Sequence, residues 1–309
     1  MKAYLLKDWK FMISTTFFVG LFVYSICYGV FFDDKIKLTL LEMNEKAEVL
    51  SVPPYSPLEK FPFGTDLLGY DMLQMVIVGA KYTLSVGLII ALLRVLMSLF
   101  IGSTVSTYFP RILTFMRWVS EPFSIVPQTL IAFFILFNVL WMKTTGFDHP
   151  FWERALFEIL VLSFLALPTL SLQFTSQMRK LWNQEYIESA IILGGSKWHI
   201  FWKHIMPNMK DKIFFLFIQQ FIQALIILAH LGTLKLFFGG TFIDYETGQP
   251  PKSISMEWSG IIGDSYRYLR AYPWIPLTPI IFFALSILSL STILESLKKA
   301  FRLKDEGKI

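Results

Sequence analysis

Five ionisable side chains interrupt the apolar stretches of this sequence: Arg94, Glu121, Glu158, His230 and Glu295. A carboxylate in an apolar setting can serve as a general acid or base, and an imidazole can bind a metal. The sequence holds no constellation that completes either chemistry. His199 and His204 are five apart, so on an α-helix they point about 140° from one another and make a poor metal pair. Glu153 and Glu158 share that spacing, and a lone His230 more often makes a structural hydrogen bond than ligates a metal. Gly194-Gly195-Ser196-Lys197 has the letters of a phosphate loop without the spacing that lets backbone N–H groups cradle a phosphate. The metallohydrolase pattern H-E-x-x-H and the nucleophile pattern G-x-S-x-G do not occur. The chain is expected to hydrolyse no nucleotide, to have no catalytic or metal site and to bind no cofactor. If it moves a solute uphill, a partner must supply the energy.

The elements that must position these residues are membrane helices. Of 309 residues, 54% are hydrophobic and 17% charged, with a mean hydropathy of +0.54. Soluble chains carry about 25% charge, so there is too little polar surface here for a water-facing exterior. Disorder, collagen-like repeats and a nucleic-acid module are excluded. Cys27 is the only cysteine, which rules out an intramolecular disulfide. A bilayer core of about 30 Å needs about 20 apolar residues in a helix. Phe11–Phe32 has 22 residues without a charge, longer than the apolar core of about 7–15 residues in a signal peptide. It is expected to stay as the first span. Others are expected at 82–109, 119–142, 155–175, 213–231 and 275–297. The fold class is therefore all-α, a polytopic membrane protein of six transmembrane helices.

Charge sets the expected orientation. With both termini cytoplasmic, the inner segments hold 16 Lys and Arg in 67 residues, against 11 in 104 for the outer segments. That asymmetry follows the positive-inside rule and accounts for the net charge of +5. The outer loops 33–81 and 232–274, with the proline pairs Pro53-Pro54 and Pro250-Pro251, read as ordered surface loops.

The longest inner loop, 176–212, is the most informative segment. Glu185–Leu193 reads as a helix with Tyr186, Ala190 and Leu193 on one face. Gly194-Gly195 permits a sharp turn. Ser196 is a plausible N-cap for a second short helix, Ser196–His204, which Pro207 is expected to stop. Two short helices at an angle, fringed with Lys and Arg, form a projecting knob suited to a groove on a soluble partner.

Glu188-Ser189-Ala190-x-x-x-Gly194, followed by His204-Ile205-Met206-Pro207-Asn208, resembles the EAA loop of ABC importer permeases. The form Glu185-Tyr186-Ile187-Glu188-Ser189-Ala190 is similar to the dipeptide/oligopeptide/nickel group. Pro62-Phe63-Gly64-Thr65-Asp66-x-x-Gly69-x-Asp71 is similar to the F-G-T-D-x-x-G-R-D of its C-type subunit, with Tyr70 in place of the Arg. Trp258-Ser259-Gly260 and Tyr272-Pro273-Trp274 form a third signature. Ser189 replaces the first Ala of EAA, and Leu228-Ala229-His230-Leu231-Gly232 replaces L-S-F-L-G.

The resemblance implies a type I importer permease fold in a bacterial plasma membrane. It implies a first helix and outer loop at 1–60 and a five-helix core at 61–309 with a coupling loop at 182–208. Glu185, Tyr186, Glu188, Ser189, Ala190, Gly194, Gly195, His204 and Pro207 would couple to the ATPase, Glu188 orienting the knob or capping its turn. Phe63, Gly64, Thr65, Asp66, Gly69 and Asp71 would form the outer-loop motif. The implied partners are a homologous permease subunit, two ATPase subunits carrying ATP and Mg, an extracytoplasmic solute-binding protein and a peptide cargo, with lipid around the chain and no nucleic acid.

Arg94 falls near mid-bilayer, where a charge costs several kcal/mol unless paired or wetted. It either faces a pathway, paired with Glu121, or makes a structural polar contact between helices. Pro127 and Pro168 would kink their spans, as hinges or simply in packing. Arg94, Glu121 and Pro127 are the candidate pathway residues. The expected function is the permease subunit of an ATP-driven peptide importer. The rivals are a non-transporting membrane sensor or scaffold and an intramembrane enzyme using Glu121, Glu158 or Glu295.

Overall fold

The computed structural model describes residues 2–40, 42–43, 49–246 and 251–306, and Pro250 of the second proline pair lies outside them. Within that range the regular structure is helical apart from two short antiparallel ladders, β1 (Glu42–Met43) with β2 (Val49–Ser51) and β3 (Thr241–Phe242) with β4 (Lys252–Ser253). The helices are α1 (Lys2–Lys7), α2 (Trp9–Phe32), α3 (Met72–Tyr108), α4 (Leu113–Ile125), α5 (Gln128–Leu140), α6 (Phe151–Phe164), α7 (Leu167–Trp182), α8 (Glu185–Ile192), α9 (Lys197–Ile200), α10 (Met206–Thr233), α11 (Trp258–Ser265) and α12 (Trp274–Asp305). α2, α3, α12 and the continuous run Lys197–Thr233 are long and apolar enough to cross a membrane. The α4–α5 and α6–α7 pairs qualify only together, bent by 82° and 43°. Counting each pair as one span gives six.

Two compact units result: Met1–Gly87 with Phe137–Glu158 and Leu225–Ile309, and Leu88–Leu136 with Ile159–Ala224. In the first, Asp8 caps α2, accepting from the backbone N–H of Lys10 at 3.1 Å and of Phe11 at 3.5 Å. Its second oxygen accepts from Ser296 Oγ at 2.8 Å, which ties α2 to α12. The cap moves the start of the first span two residues ahead of the expected Phe11. Ser25 and Tyr28 are the buried residues of α2, and its other described side chains are at least partly exposed, as expected of a lipid-facing helix. Ser25 Oγ donates to the Ile77 carbonyl and accepts from the Lys81 N–H at 2.9 Å. Lys81 Nζ meets both Asp34 oxygens, at 2.5 and 2.6 Å. Lys81 marks the expected end of an outer loop, yet α3 begins ten residues ahead of the expected 82, at Met72.

The motif around residue 65 is a clasp. Thr65 and Tyr55 exchange two hydrogen bonds: the Tyr55 N–H donates to Thr65 Oγ1 at 2.9 Å, and the Thr65 N–H to the Tyr55 carbonyl at 3.0 Å. Asp66 Oδ1 accepts from the N–H groups of Leu68 and Tyr70, and Asp71 Oδ1 from Leu73 at the start of α3. Gly69 needs its positive φ of 91°, and a Cβ there would strike the Thr39 carbonyl. Trp274 Nε1 donates to the Thr65 carbonyl at 3.1 Å, and the Phe63 ring meets Phe282 edge-on. This joins two of the three signatures. Trp258 of α11, fully buried, donates from its backbone to Thr83 Oγ1 at 2.9 Å and from Nε1 to the Val76 carbonyl at 2.7 Å.

In the second unit, Val126 is extended and Pro127 follows it, so the expected continuous span 119–142 is broken. Pro168 sits in the first turn of α7, where its missing N–H costs least. Ser120 Oγ donates to the Pro168 carbonyl at 2.7 Å, which holds α4 against α7.

Candidate functional site

The loop 182–208 is built as a rigid projection. α7 ends at the buried Trp182, Gln184 is extended, and α8 starts with Glu185 and Glu188 in its first turn. Carboxylates there complement the partial positive charge of the helix N-terminus. At the other end the Gly194 N–H donates to the Ile191 carbonyl and the Gly195 N–H to the Ala190 carbonyl, at 2.9 and 3.0 Å. This two-bond closure needs a left-handed residue, and Gly194 has φ +84°. Ser196 then caps α9 as expected, its Oγ accepting from the His199 N–H at 3.2 Å.

Pro207 does not stop this second helix. A π-turn at Phe201–Ile205 carries the chain straight into α10, with the Met206 N–H donating to the Phe201 carbonyl. The wider i→i+5 turn at Phe201–Ile205 lets Pro207, which has no N–H to donate, sit inside a continuous helical run as the second residue of α10. The same turn brings the His199 and His204 rings to 6.5 Å between centroids, closer than α-helical geometry predicts. Among the described residues, no group of three or more His, Cys, Asp or Glu is placed to hold a metal ion.

The face with Tyr186 and Leu193 is not the one that turns inward. Ile187, not Tyr186 or Leu193, is buried, together with Ile200, Phe201, Ile205 and Met209, against Phe174, Met178 and Trp182 of α7. Ala190 is half-buried beside this cluster. Tyr186 stays exposed, and its hydroxyl accepts from Asn208 Nδ2 at 3.3 Å. Asn208 Nδ2 also donates to the His204 carbonyl at 2.8 Å, so His204 and Asn208 latch the start of α10 onto α8. Ser189 Oγ donates to the Glu185 carbonyl at 3.0 Å. Glu188 is exposed, and the turn is closed by the two glycine N–H groups instead. What projects is apolar: Ile192 is 84% and Leu193 88% exposed, with Ile191, Trp198 and Trp202 also open. Exposed large apolar side chains such as these mark contact surfaces for a protein or a membrane.

Arg94 and Glu121 do not form the expected pair. Arg94 is 1% exposed and gives Nε and Nη2 to the Leu162 carbonyl, at 2.9 and 2.7 Å. Nη1 reaches Gln220 Oε1 at 3.3 Å. Glu121 is exposed, as is Pro127. The reason lies in the break between α6 and α7. A carbonyl at Leu162 would normally accept from residue 166, but the helix ends at Phe164 and Ala166 begins the next turn. A freed carbonyl in hydrocarbon must be satisfied by a neighbour, and Arg94 does so. These bonds make Arg94 a polar contact between α3 and α6 in this chain.

A second polar cluster, not singled out from the sequence, surrounds Glu257. Glu257, buried before α11, accepts from the Phe238 N–H, Ser255 Oγ, Ser259 Oγ and Ser253 Oγ at 2.8–3.2 Å. The three serines flanking it were the available signal. Burial pushes the Glu257 carboxyl up to about 7 and that of Asp264, on α11, up to about 6. With folded pKa values above the unfolded ones, the folded state holds extra protons. Stability therefore falls as pH rises from the ordinary carboxylate range, near 4.5 for Glu257, to about 7, and is level above. The purified protein is expected to melt at a higher temperature at about pH 5 than at about pH 8, and Glu257→Gln is expected to flatten much of that slope. An unchanged slope in Glu257→Gln would remove the assignment.

Comparison with known proteins places this geometry in context. Residues 98–304 match the family described as binding-protein-dependent transport system inner membrane component. The peptide transport system permease protein SapC of Escherichia coli is 22% identical over 240 residues, covering 78% of this chain and 73% of its own. The oligopeptide transport system permease protein of Haemophilus influenzae is 24% identical over 244 residues, covering 79% and 70%. The dipeptide transport system permease protein of Alkalihalophilus pseudofirmus is 26% identical over 242 residues, covering 77% and 70%.

Proposed function

The chain belongs to the binding-protein-dependent transport system inner membrane components, and from that premise we propose how it works as a permease subunit of an ATP-driven peptide importer. It is a multi-pass protein of the bacterial inner membrane, and its family supplies transport components rather than ATPases. Its partners are a second permease subunit, two ATPase subunits that hold ATP and Mg, and a solute-binding protein that delivers peptide from the far side. The chain itself holds no cofactor and hydrolyses nothing. Both termini and the loop 182–208 face the cytoplasm, in line with the Lys and Arg asymmetry.

The observation that carries the coupling role is the exposed surface Ile191, Ile192, Leu193, Trp198 and Trp202 on a loop whose other face is buried. An ATPase cleft that covers these side chains gains the burial of several large apolar groups. Because Ile187, Ile200 and Ile205 pack with α7, and Ile200 and Ile205 belong to the run continuous with α10, the loop is expected to move together with both helices. When the ATPases close, the knob moves as a rigid body and carries α7 and α10 with it. Selection of cargo rests mainly on the binding protein, so the permease pathway is lightly selective.

A mild-detergent pull-down of this chain from its native cells tests the assembly. Recovery of an ATPase subunit and a second permease chain, with ATP-dependent uptake of labelled peptide by the reconstituted complex, is the expected result. Recovery of the chain alone, intact and folded, would overturn it.

A further inference from the structure

Between the clasp, α11 and the short turn Tyr266–Tyr268 lies a cavity of about 450 Å³, a size usual for small-molecule sites. Met72 and Met75 of α3 give it an apolar lining, and Asp66, Asp264, Lys252 and Arg267 give it charge of both signs. Asp264 is the one residue of α11 that is not fully buried.

These charges share a cavity without pairing. Asp66 Oδ1 accepts from the N–H groups of Leu68 and Tyr70 at 2.9 and 2.7 Å, and the Asp264 oxygens from the Ser253 N–H at 3.1 and 3.2 Å. Among the described residues, neither carboxylate lies within ion-pair distance of a Lys or Arg. Arg267 rests instead on the Tyr268 ring, with Cζ 4.5 Å from the centroid. Burial holds both carboxyls above their ordinary range, Asp264 at about 6, and Lys235, Lys252 and Arg267 offset this only at a distance. Two anions that lack a cation and a cation that lacks an anion face one space. The group that satisfies all of them is a zwitterion, an ammonium and an oxyanion on one small molecule.

A short peptide with free termini and a phosphatidylethanolamine headgroup both have that chemistry. A headgroup brings acyl chains, which need an exposed apolar helix face to follow. The helices here offer none: Met72 of α3, Ile261 of α11 and Ile275 of α12 are buried. We propose that this cavity holds the two ends of a short peptide, Asp66 and Asp264 taking the α-ammonium, Arg267 and Lys252 the α-carboxylate. The flexible methionines accommodate whatever side chains lie between. A site that reads ends rather than side chains agrees with a lightly selective permease. The choice of peptide as occupant rests on the importer function proposed above.

The test is equilibrium binding of tritiated trialanine to the purified permease–ATPase complex in phosphatidylglycerol nanodiscs, without solute-binding protein. The wild type is expected to bind trialanine about tenfold more tightly than N-acetyl-trialanine or trialanine amide, each of which lacks one charge-assisted contact. Asp264→Asn keeps an acceptor for the Ser253 N–H. It is expected to erase most of the penalty for acetylation and to leave that for the amide. Arg267→Gln is expected to do the reverse. Its position is exposed, so it decides the matter alone if Asp264→Asn fails to assemble. Equal binding of free and capped peptides by the wild type would overturn the proposal, as would equal losses for every peptide in both variants. So would loss of trialanine binding when dioleoyl phosphatidylethanolamine is added to the nanodiscs, which would make the site a lipid's. ATP-driven uptake of trialanine with the binding protein present checks the importer function separately. Uptake without end-dependent binding overturns the cavity alone, whereas end-dependent binding without uptake upholds the cavity and removes the importer.

Discussion

Gly194→Val is expected to reduce ATP-driven peptide uptake about tenfold while the membrane-embedded helices stay folded. The cause is backbone geometry alone. A Cβ at Gly194 meets nothing within 4 Å, so space is available, but φ is +84°. Holding an L-residue in the left-handed region costs roughly 1–2 kcal/mol, and a β-branched one is a genuine outlier there. The chain relieves this strain by surrendering the bonds from Gly194 and Gly195 to the end of α8. α9 then leaves α8 at another angle, and Leu193 and Trp198 no longer present one surface. At about 1.4 kcal/mol per tenfold, that strain suffices to empty the docking geometry.

Gly194→Asn separates geometry from bulk, because Asn enters the left-handed region far more readily than Val. It is expected to keep uptake within about twofold of wild type. The readout is uptake of labelled peptide by vesicles holding the complete complex, beside the ATPase rate of the same preparation. Size-exclusion profiles report folding. Loss of uptake with retained complex size locates the fault in coupling. Full uptake by Gly194→Val would mean that the turn has no role in transmission.

Spans and turns are legible in the sequence, whereas packing faces and helix breaks are not. Spans were visible because apolar runs of membrane length leave few alternatives, and the turn at Gly194-Gly195 with the cap at Ser196 was visible because glycine and serine act locally. The end of the first outer loop was misjudged because Lys81 reads as a polar boundary, whereas Asp34, far away in sequence, neutralises it. Period alone puts Tyr186, Ala190 and Leu193 on one face but does not say which face turns inward. Which of two adjacent apolar faces turns inward depends on what α7 offers, and Ile187 fits against its side chains. The π-turn was invisible for the same reason. Its local sequence, Phe201–Ile205, would suit an ordinary helix until the proline that follows is reconciled with continuity into α10. Arg94 had a visible cost and no visible partner, since a backbone carbonyl freed by a helix break carries no side-chain signature.

Removing Arg94 is therefore expected to lower the amount of folded protein and to leave the specific activity of what folds nearly intact. In Arg94→Ala the Leu162 carbonyl loses two charge-assisted bonds, of 2.9 and 2.7 Å, at a buried position. An acceptor stranded in this way costs about 1–3 kcal/mol, and the space vacated by a fully buried guanidinium stem adds a cavity. Gln220 loses its partner too. Arg94→Lys keeps a charge but offers a point donor where a planar fork grips one oxygen with two N–H groups, so it is expected to fall between wild type and Ala. If Arg94 lined the pathway instead, the order would reverse: Arg94→Ala would reach the membrane at normal levels and fail in uptake. Quantitative blots of detergent-soluble, correctly sized complex, set against uptake per complex, distinguish the two. The bonds to Leu162 predict that the loss appears in the first quantity. A charge that at first suggests transport chemistry then serves to hold α3 to α6 at the point where Pro168 allows the helix to break.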